Sequence, residues 1–273
     1  MAYLTSKKFD FRSSALADDA FGVVSFRGFE GFSKLYEFDI MLVSSDPEID
    51  LTEVLQNPAV FTILRDEGDI PFNGILARFE QLHAVGEHVF YRAVLVPKFW
   101  WLSLTRHNQV FLDKSVPEII GEVLEDGGLI SHDYELRMSN NYPVWDYICQ
   151  YRESHLNFVS RWMEREGLYY FFEQTENAEK LIITDTKLSH TPMAEGNTMY
   201  YSPPSAMEEA HREEVIGAFI CRQEPLPAKL HVNDYNYRTP SLSLSAEAEV
   251  SPRGRGEVHL YGEHFRSPAE GRT

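Results

Sequence analysis

The sequence predicts a mainly β protein that carries an inserted α+β unit. Three observations lead there. Runs of β-branched and aromatic residues punctuated by glycine turns occupy residues 21–104. Near residue 105 the spacing becomes helical, with capping signals. After residue 215 strand-like runs resume.

Taken in order, FGVVSFRGFEGFSKLYEFDIMLV (21–43) holds two β-rich runs across a turn at Gly28 to Gly31. Tyr36, Phe38, Ile40 and Leu42 alternate onto one face, the pattern of a half-buried hairpin. Asp50 opens a short helix through Leu51, Val54 and Leu55 that stops at Asn57-Pro58, and VFTIL (60–64) returns to strand. PFNGILARFEQL (71–82), EHVFYRAVLV (87–96) and FWWLSL (99–104) read as three further strands, with Gly68, Gly74 and Gly86 near turns or bulges. Five or six antiparallel strands and one short helix make residues 1–104 a small barrel.

Residues 105–190 read as a separate α+β insert. Ser115-Val-Pro-Glu118 is a capping box with proline in the first turn, and Val116, Ile119, Ile120, Val123 and Leu124 share one helical face before Gly127-Gly128 stops it. A second helix is expected over 144–151. A third starts from Ser154 as its N-cap, carries Leu156, Val159, Trp162 and Met163 along one side, and closes at Gly167. Residues 168–173 and 180–184 then read as strands joined by the polar turn QTENAE. Residues 191–215, with three prolines and two pairs of adjacent glutamates, read as a connector. Beyond it, 215–222, 228–237 and 257–261 are strand candidates, with RGRG (253–256) as a turn. Residues 216–273, about sixty in all, are too few to stand as an independent domain.

Composition narrows the function. Forty-two acidic against 25 basic side chains give a formal charge of −17, which repels phosphate backbones and argues against a nucleic-acid partner. No apolar stretch approaches the ~20 residues of a membrane span. The start, MAYLTSKKFDF, lacks the apolar core of a signal peptide, so folding in the cytoplasm is expected. Cys149 and Cys221 lack CxxC spacing and read as buried thiols, giving neither a disulfide nor a metal site.

The residues capable of chemistry have simpler readings. His83 and His88 flank a turn at Gly86, His259 and His264 are five apart, and neither pair has metal-ligand helix spacing. Glu164, Glu166, Glu173 and His155 could pose as acid and base, yet in one helix His155 and Glu166 stand about 16 Å apart along the axis. Arg161 and Arg165 read as a solvated cationic ridge among glutamates, with a partner interface as the alternative. Phe99-Trp100-Trp101, Trp145, Trp162 and Tyr169-Tyr170-Phe171-Phe172 could form a sugar platform. Strand neighbours alternate sides, however, so a core buried on both faces explains the aromatic run better. There is no GxSxG elbow, phosphate loop or GxGxxG. No catalytic, cofactor-binding or metal-binding residue is assigned, and no cofactor is expected.

Five segments occur in a telling order: FRGFEGFSKLYEFDIMLVSS, FNGILARFEQ, VPKFWWLSLTRHNQVFLDKSVPEIIGEVLED, CQYRESHLNFVSRWMEREGLYYFFE and VNDYNYRTPSLSL. Together they resemble the N-terminal head of the VgrG proteins of type VI secretion, which is similar to the tail hub of contractile phages. The resemblance covers nearly the whole chain. It implies a structural assembly protein and not an enzyme, with a tail-hub-like head of two related β-barrel tube domains and inserted material. Residues 1–104 would be the first tube domain and 216–273 the start of the second. It further implies a homotrimer whose six barrels match the six-fold Hcp tube, with baseplate components and effector cargo as further partners. Such a protein assembles in the cytoplasm and is then ejected by the machine, outside or into a target cell. Family members continue into an OB-fold neck and a β-helical spike, so a chain ending in YGEHFRSPAEGRT is expected to be a truncated form or the product of a fragmentary gene, without the puncturing needle. The alternatives are a phage or tailocin tail hub and, from a different class, a hydrolase or glycan-binding protein.

Overall fold

The computed structural model describes residues 8–65, 68–191, 200–201 and 215–272, which belong to two compact units, 1–191 and 192–273. The first unit opens with strands β1 (Phe9–Ser13), β2 (Gly22–Phe29), β3 (Glu37–Ser44), helix α1 (Leu51–Gln56), β4 (Ala59–Ile63), β5 (Ile70–Val85) and β6 (His88–Val96). The strands form one antiparallel sheet in the order β1-β4-β5-β6-β3-β2. Period-two patterning sets its inner face: Phe38, Ile40 and Leu42 of β3 are buried and lie in register with Leu95, Ala93 and Tyr91 of β6. Bulges between Val23 and Ser25, Leu76 and Arg78, and Gln81 and Ala84 curl the sheet. The curl brings its two edge strands together, with the Phe9 ring of β1 4.9 Å from that of Phe26 of β2.

What fills the curl is largely aromatic. Phe11, Phe21, Phe38, Phe61, Phe72, Phe79 and Tyr91 form one buried cluster with Ile40, Leu42 and Val54. Each such ring contributes roughly 1.5–3 kcal/mol through its removal from water. Helix α1 supplies Val54 to this core, and Asp50 caps it by accepting from the Thr52 and Glu53 N–H groups at 2.8 and 3.2 Å.

The remainder of the unit comprises β7 (Arg106–Phe111), β8 (Lys114–Ser115), α2 (Val116–Asp126), β9 (Tyr134–Arg137), β10 (Val144–Trp145), β11 (Ile148–Ser154), α3 (His155–Glu166), β12 (Tyr169–Gln174) and β13 (Glu179–Thr184). Glu118 completes the expected capping box, accepting from the Ser115 N–H at 2.8 Å. Gly167 takes the left-handed closing position of α3 at φ 71°. α2 contributes Ile119, Ile120, Val123 and Leu124, and α3 contributes Phe158, Val159, Trp162 and Met163, to a core shared with the sheet β12-β13-β9.

Two expected elements are different in the structure. FWWLSL is a 3-10 helix over Lys98–Ser103 behind Pro97; Phe99 and Leu102, three apart, are both buried, which is 3-10 spacing. The helix expected over 144–151 is instead β10 and the start of β11. There Ile148 and Gln150 turn inward opposite Phe111 and Gln109 of β7, so period two prevails. The cysteines also differ from expectation. Cys149 is half-buried because Ile148 and Gln150 hold the inward positions, and Cys221 is exposed in a stretch without regular structure; both thiols are free.

The second unit contains β14 (Lys229–Asp234), β15 (Leu244–Glu249) and β16 (Glu257–Tyr261), ordered β15-β14-β16, with β14 antiparallel to β15 and parallel to β16. The strand expected over 215–222 is absent; a single bridge joins Ile216 to Tyr201. The connector expected over 191–215 lies mostly outside the described residues. Among the described residues, no helix is long and apolar enough to cross a membrane. The fold class is thus mainly β with α+β material, as the patterning predicts.

Candidate assembly surface

The β2–β3 loop reaches over the outer side of β12. Ser33, left-handed at φ 53°, donates its N–H to the Tyr170 carbonyl at 2.9 Å. β12 alternates as a strand must. Tyr170 and Phe172 turn inward, with ring centroids 5.2 Å from Phe99 and 5.0 Å from Tyr36. Tyr169 and Phe171 face outward, covered edge-on by Phe32 at 5.9 and 6.2 Å and by His190. The aromatic run is therefore packed on both faces.

Beside it, Asn73 of β5 donates its backbone N–H to Gln174 at 3.0 Å and its side-chain amide to the Thr175 carbonyl at 2.8 Å. The Tyr36 hydroxyl donates to the Asn73 carbonyl, and burial pushes this phenol far above its ordinary range. A cleft of about 250 Å³ opens here, lined by Glu30, Phe32, Lys34, Tyr36, Phe171 and Gln174. Phe32, which lines it, is 63% exposed, and Phe29, the last residue of β2, is 54% exposed with the Lys34 ammonium 5.2 Å above its ring. Two exposed phenylalanines, one closing β2 and one on the pinned loop, make a surface suited to a protein partner. A second apolar stretch lies on β7 and β11, where Val110 and its register partner Cys149 face outward near exposed Leu112, Tyr147 and Tyr151.

The residues weighed from sequence occupy structural positions. His155 and Glu166 are the first and last residues of α3. His155 is buried, with Nδ1 3.2 Å from Gln150 Oε1 and Nε2 3.0 Å from Asp126; burial lowers its pKa, against the opposing pull of the Asp126 carboxylate. Burial raises the Glu166 pKa, partly offset by Arg165. Glu173 pairs with Arg137 through two contacts of 2.6 and 2.9 Å, and Glu164 is exposed. Arg161 and Arg165 are more than a solvated ridge. Arg165 lies 4.9 Å from the Trp145 ring and 5.2 Å from Trp162, while Arg161 covers Phe158 at 5.1 Å and holds Glu153 at 2.7 Å.

The tryptophans do not assemble into one platform. Trp145 and Trp162 meet at 5.6 Å beneath Arg165, Trp100 packs against Ile75, Val94 and Val96, and Trp101 sits under Lys98. His83 stacks on Phe90 at 5.0 Å beside the β5–β6 turn that precedes His88, and the His264 N–H donates to Asp234. His259 joins His231 and Glu257, a grouping that sequence spacing did not reveal because it depends on the parallel register of β14 and β16.

A curled antiparallel sheet of six strands with an adjoining α+β region is a fold shared with tail-hub proteins. Residues 29–273 match the phage tail baseplate hub (GPD) family, and the chain belongs to it. Within that family it is homologous to type VI secretion spike proteins of Pseudomonas aeruginosa. It is 32% identical to VgrG1c over 259 residues, covering 93% of this chain and 35% of that protein. To VgrG1a it is 31% identical over 258 residues, covering 92% of this chain and 39% of that protein. The chain therefore spans little more than a third of the length of these relatives. Among solved structures it superposes on the Escherichia coli c3393 protein, described as a type VI secretion component similar to the T4 tail proteins gp27 and gp5. That match has a TM-score of 0.62 at 23% identity, covering 67% of this chain and 50% of that one. The 43 kDa tail protein of prophage MuSo2 from Shewanella oneidensis matches with a TM-score of 0.52 at 13% identity, over 96% of this chain and 75% of that one. These likenesses establish the fold.

Proposed function

We propose that the chain is the head of a type VI secretion spike protein and works as a structural hub. Three copies close a ring, the ring caps the Hcp tube, and the complete protein carries the puncturing spike. The observation that carries this reading is the 93% coverage of the chain by its match to the spike protein VgrG1c. Residues 1–104 act as the first tube domain, 105–190 as the insert, 191–215 as the connector and 216–273 as the beginning of the second tube domain. The second unit supports that last assignment. Its sheet presents Leu230, Val232, Val258 and Leu260 on one face, and Val258 and Leu260 remain 39% and 40% exposed, an apolar face open to packing. The Phe29–Phe32 tip is offered as a contact for a neighbouring chain or a baseplate component. The role is structural and not enzymatic, and the assembled head is made in the cytoplasm and ejected with the spike, together with any effector cargo.

Deleting the coding region for residues 1–273 in its own secretion-active host tests this. The proposal predicts that Hcp no longer reaches the culture medium while cellular Hcp persists; unchanged Hcp release contradicts it. A tail hub of a contractile phage or tailocin is the second reading, favoured by the match to the MuSo2 tail protein over 96% of the chain. Neighbouring sheath, Hcp and ATPase genes select secretion, whereas capsid or lysis genes select phage.

A further inference from the structure

We propose that His231, Glu257 and His259 form a site for one divalent transition-metal ion, of the kind zinc represents, that clips edge strand β16 to β14. The site follows from the sheet itself. β14 and β16 run parallel with His231 opposite His259, so both imidazoles leave the same face, and their rings stack at 4.5 Å with 5° between planes. Glu257, two residues before His259, points to that face as well. Its Oε2 lies 3.4 Å from His231 Nε2 and 3.6 Å from His259 Nε2.

Those separations are what an ion requires. Zinc bonds to nitrogen and carboxylate oxygen at about 2.1 Å, so tetrahedral donors stand roughly 3.4 Å apart. The donor atoms of the three residues all lie within 4.8 Å of one another. Closing the set takes a rotation of His259, whose side chain is 62% exposed and free to turn. His231 Nε2 is buried and makes no hydrogen bond despite the nearby carboxylate, which leaves its lone pair available to a metal.

The surrounding charges favour a cation. Glu247 Oε2 lies 3.5 Å from His231 Nδ1, in position to orient the ring, and Glu247 also engages Lys229 at 2.5 Å. Two neutral imidazoles and a carboxylate suit zinc, nickel or copper better than magnesium or calcium, which prefer all-oxygen shells. Water completes the coordination. Because β14 and β16 are separated in sequence and β16 is an edge strand, an ion held by both ties down the element with least support from its neighbours.

Zinc titration of the tag-free, chelator-stripped full chain by calorimetry tests the site, with cobalt absorption as a second readout. One zinc is expected per chain, with a melting temperature that rises with zinc concentration. His259→Ala and Glu257→Gln, both at exposed side chains, should each weaken binding by at least about tenfold and abolish the cobalt ligand-field bands, with the far-ultraviolet spectrum unchanged. His83→Ala, in the other unit, should bind as the unaltered chain does. Absence of binding below millimolar zinc, or stoichiometric binding that survives both His259→Ala and Glu257→Gln, overturns the proposal.

Discussion

At the scale of single residues, several side chains that look chemical in the sequence hold the first unit together. Trp162 is buried against Trp145 and capped by Arg161 and Arg165. Trp162→Ala should cost about 3–5 kcal/mol in a denaturant melt. A sugar- or substrate-binding role would instead predict loss of binding with stability retained. Asp185 gathers donors from a whole loop: the Ser139 N–H at 2.9 Å and hydroxyl at 2.8 Å, the Asn140 N–H at 2.8 Å and the Tyr142 hydroxyl at 2.9 Å. Burial alone would raise its pKa, but these donors hold it well below the usual carboxylate range. Its contribution is therefore present above the unfolded pKa of about 3.9 and is lost as pH falls through the lower folded value. Asp185→Asn should cost about 1–3 kcal/mol at neutral pH, with the difference from the unaltered chain shrinking in strong acid. His155 titrates in the opposite range. Burial lowers its pKa, against Asp126 and with help from His107, so folding favours the neutral ring. Stability should be full above about pH 6.5 and fall as pH drops from there, and His155→Gln should flatten that slope in melts between pH 7.5 and 5.5.

At the scale of elements, the close approach of strands makes one glycine indispensable. A Cβ on Gly74 of β5 would stand 2.3 Å from the Val96 carbonyl oxygen of β6, a backbone atom that cannot swing aside. Gly74→Ala should destabilise the chain by about 1–3 kcal/mol, read from the denaturation midpoint at unchanged slope. Elements with local signals were readable from sequence: the β2–β3 hairpin by alternation, α1 by Asp50, α2 by its capping box and α3 by Ser154 and Gly167. FWWLSL misled because aromatic residues favour strands, yet Pro97 and the three-residue spacing of Phe99 and Leu102 wound it into a 3-10 helix. Residues 144–151 misled because their apolar positions also fit a helix, and pairing with β7, more than thirty residues earlier, decided otherwise. β9 joins β13 in parallel, and β16 joins β14 likewise. Such registers leave no local mark, which is why the grouping of His231 with His259 and Glu257 was invisible in the chain order.

At the scale of the whole molecule, five ordered segments pointed to the hub class, and membership of the baseplate hub family bears that out. The surfaces that would serve assembly were less readable. Phe29 closes β2 and Phe32 lies on the loop pinned to β12; both rings are exposed, and Phe32 lines the cleft. Phe29→Ser, at an exposed ring, should leave the melting temperature within a few degrees, since exposed substitutions cost about 0.5 kcal/mol or less, while weakening association with a partner. The head is proposed to close a three-chain ring that stacks on Hcp. Its most direct test is light scattering on the product of the gene's complete reading frame, followed by co-sedimentation with purified Hcp rings. A trimeric mass and co-sedimentation at one trimer per ring are expected; a monomeric product that leaves Hcp in the supernatant rules the ring out.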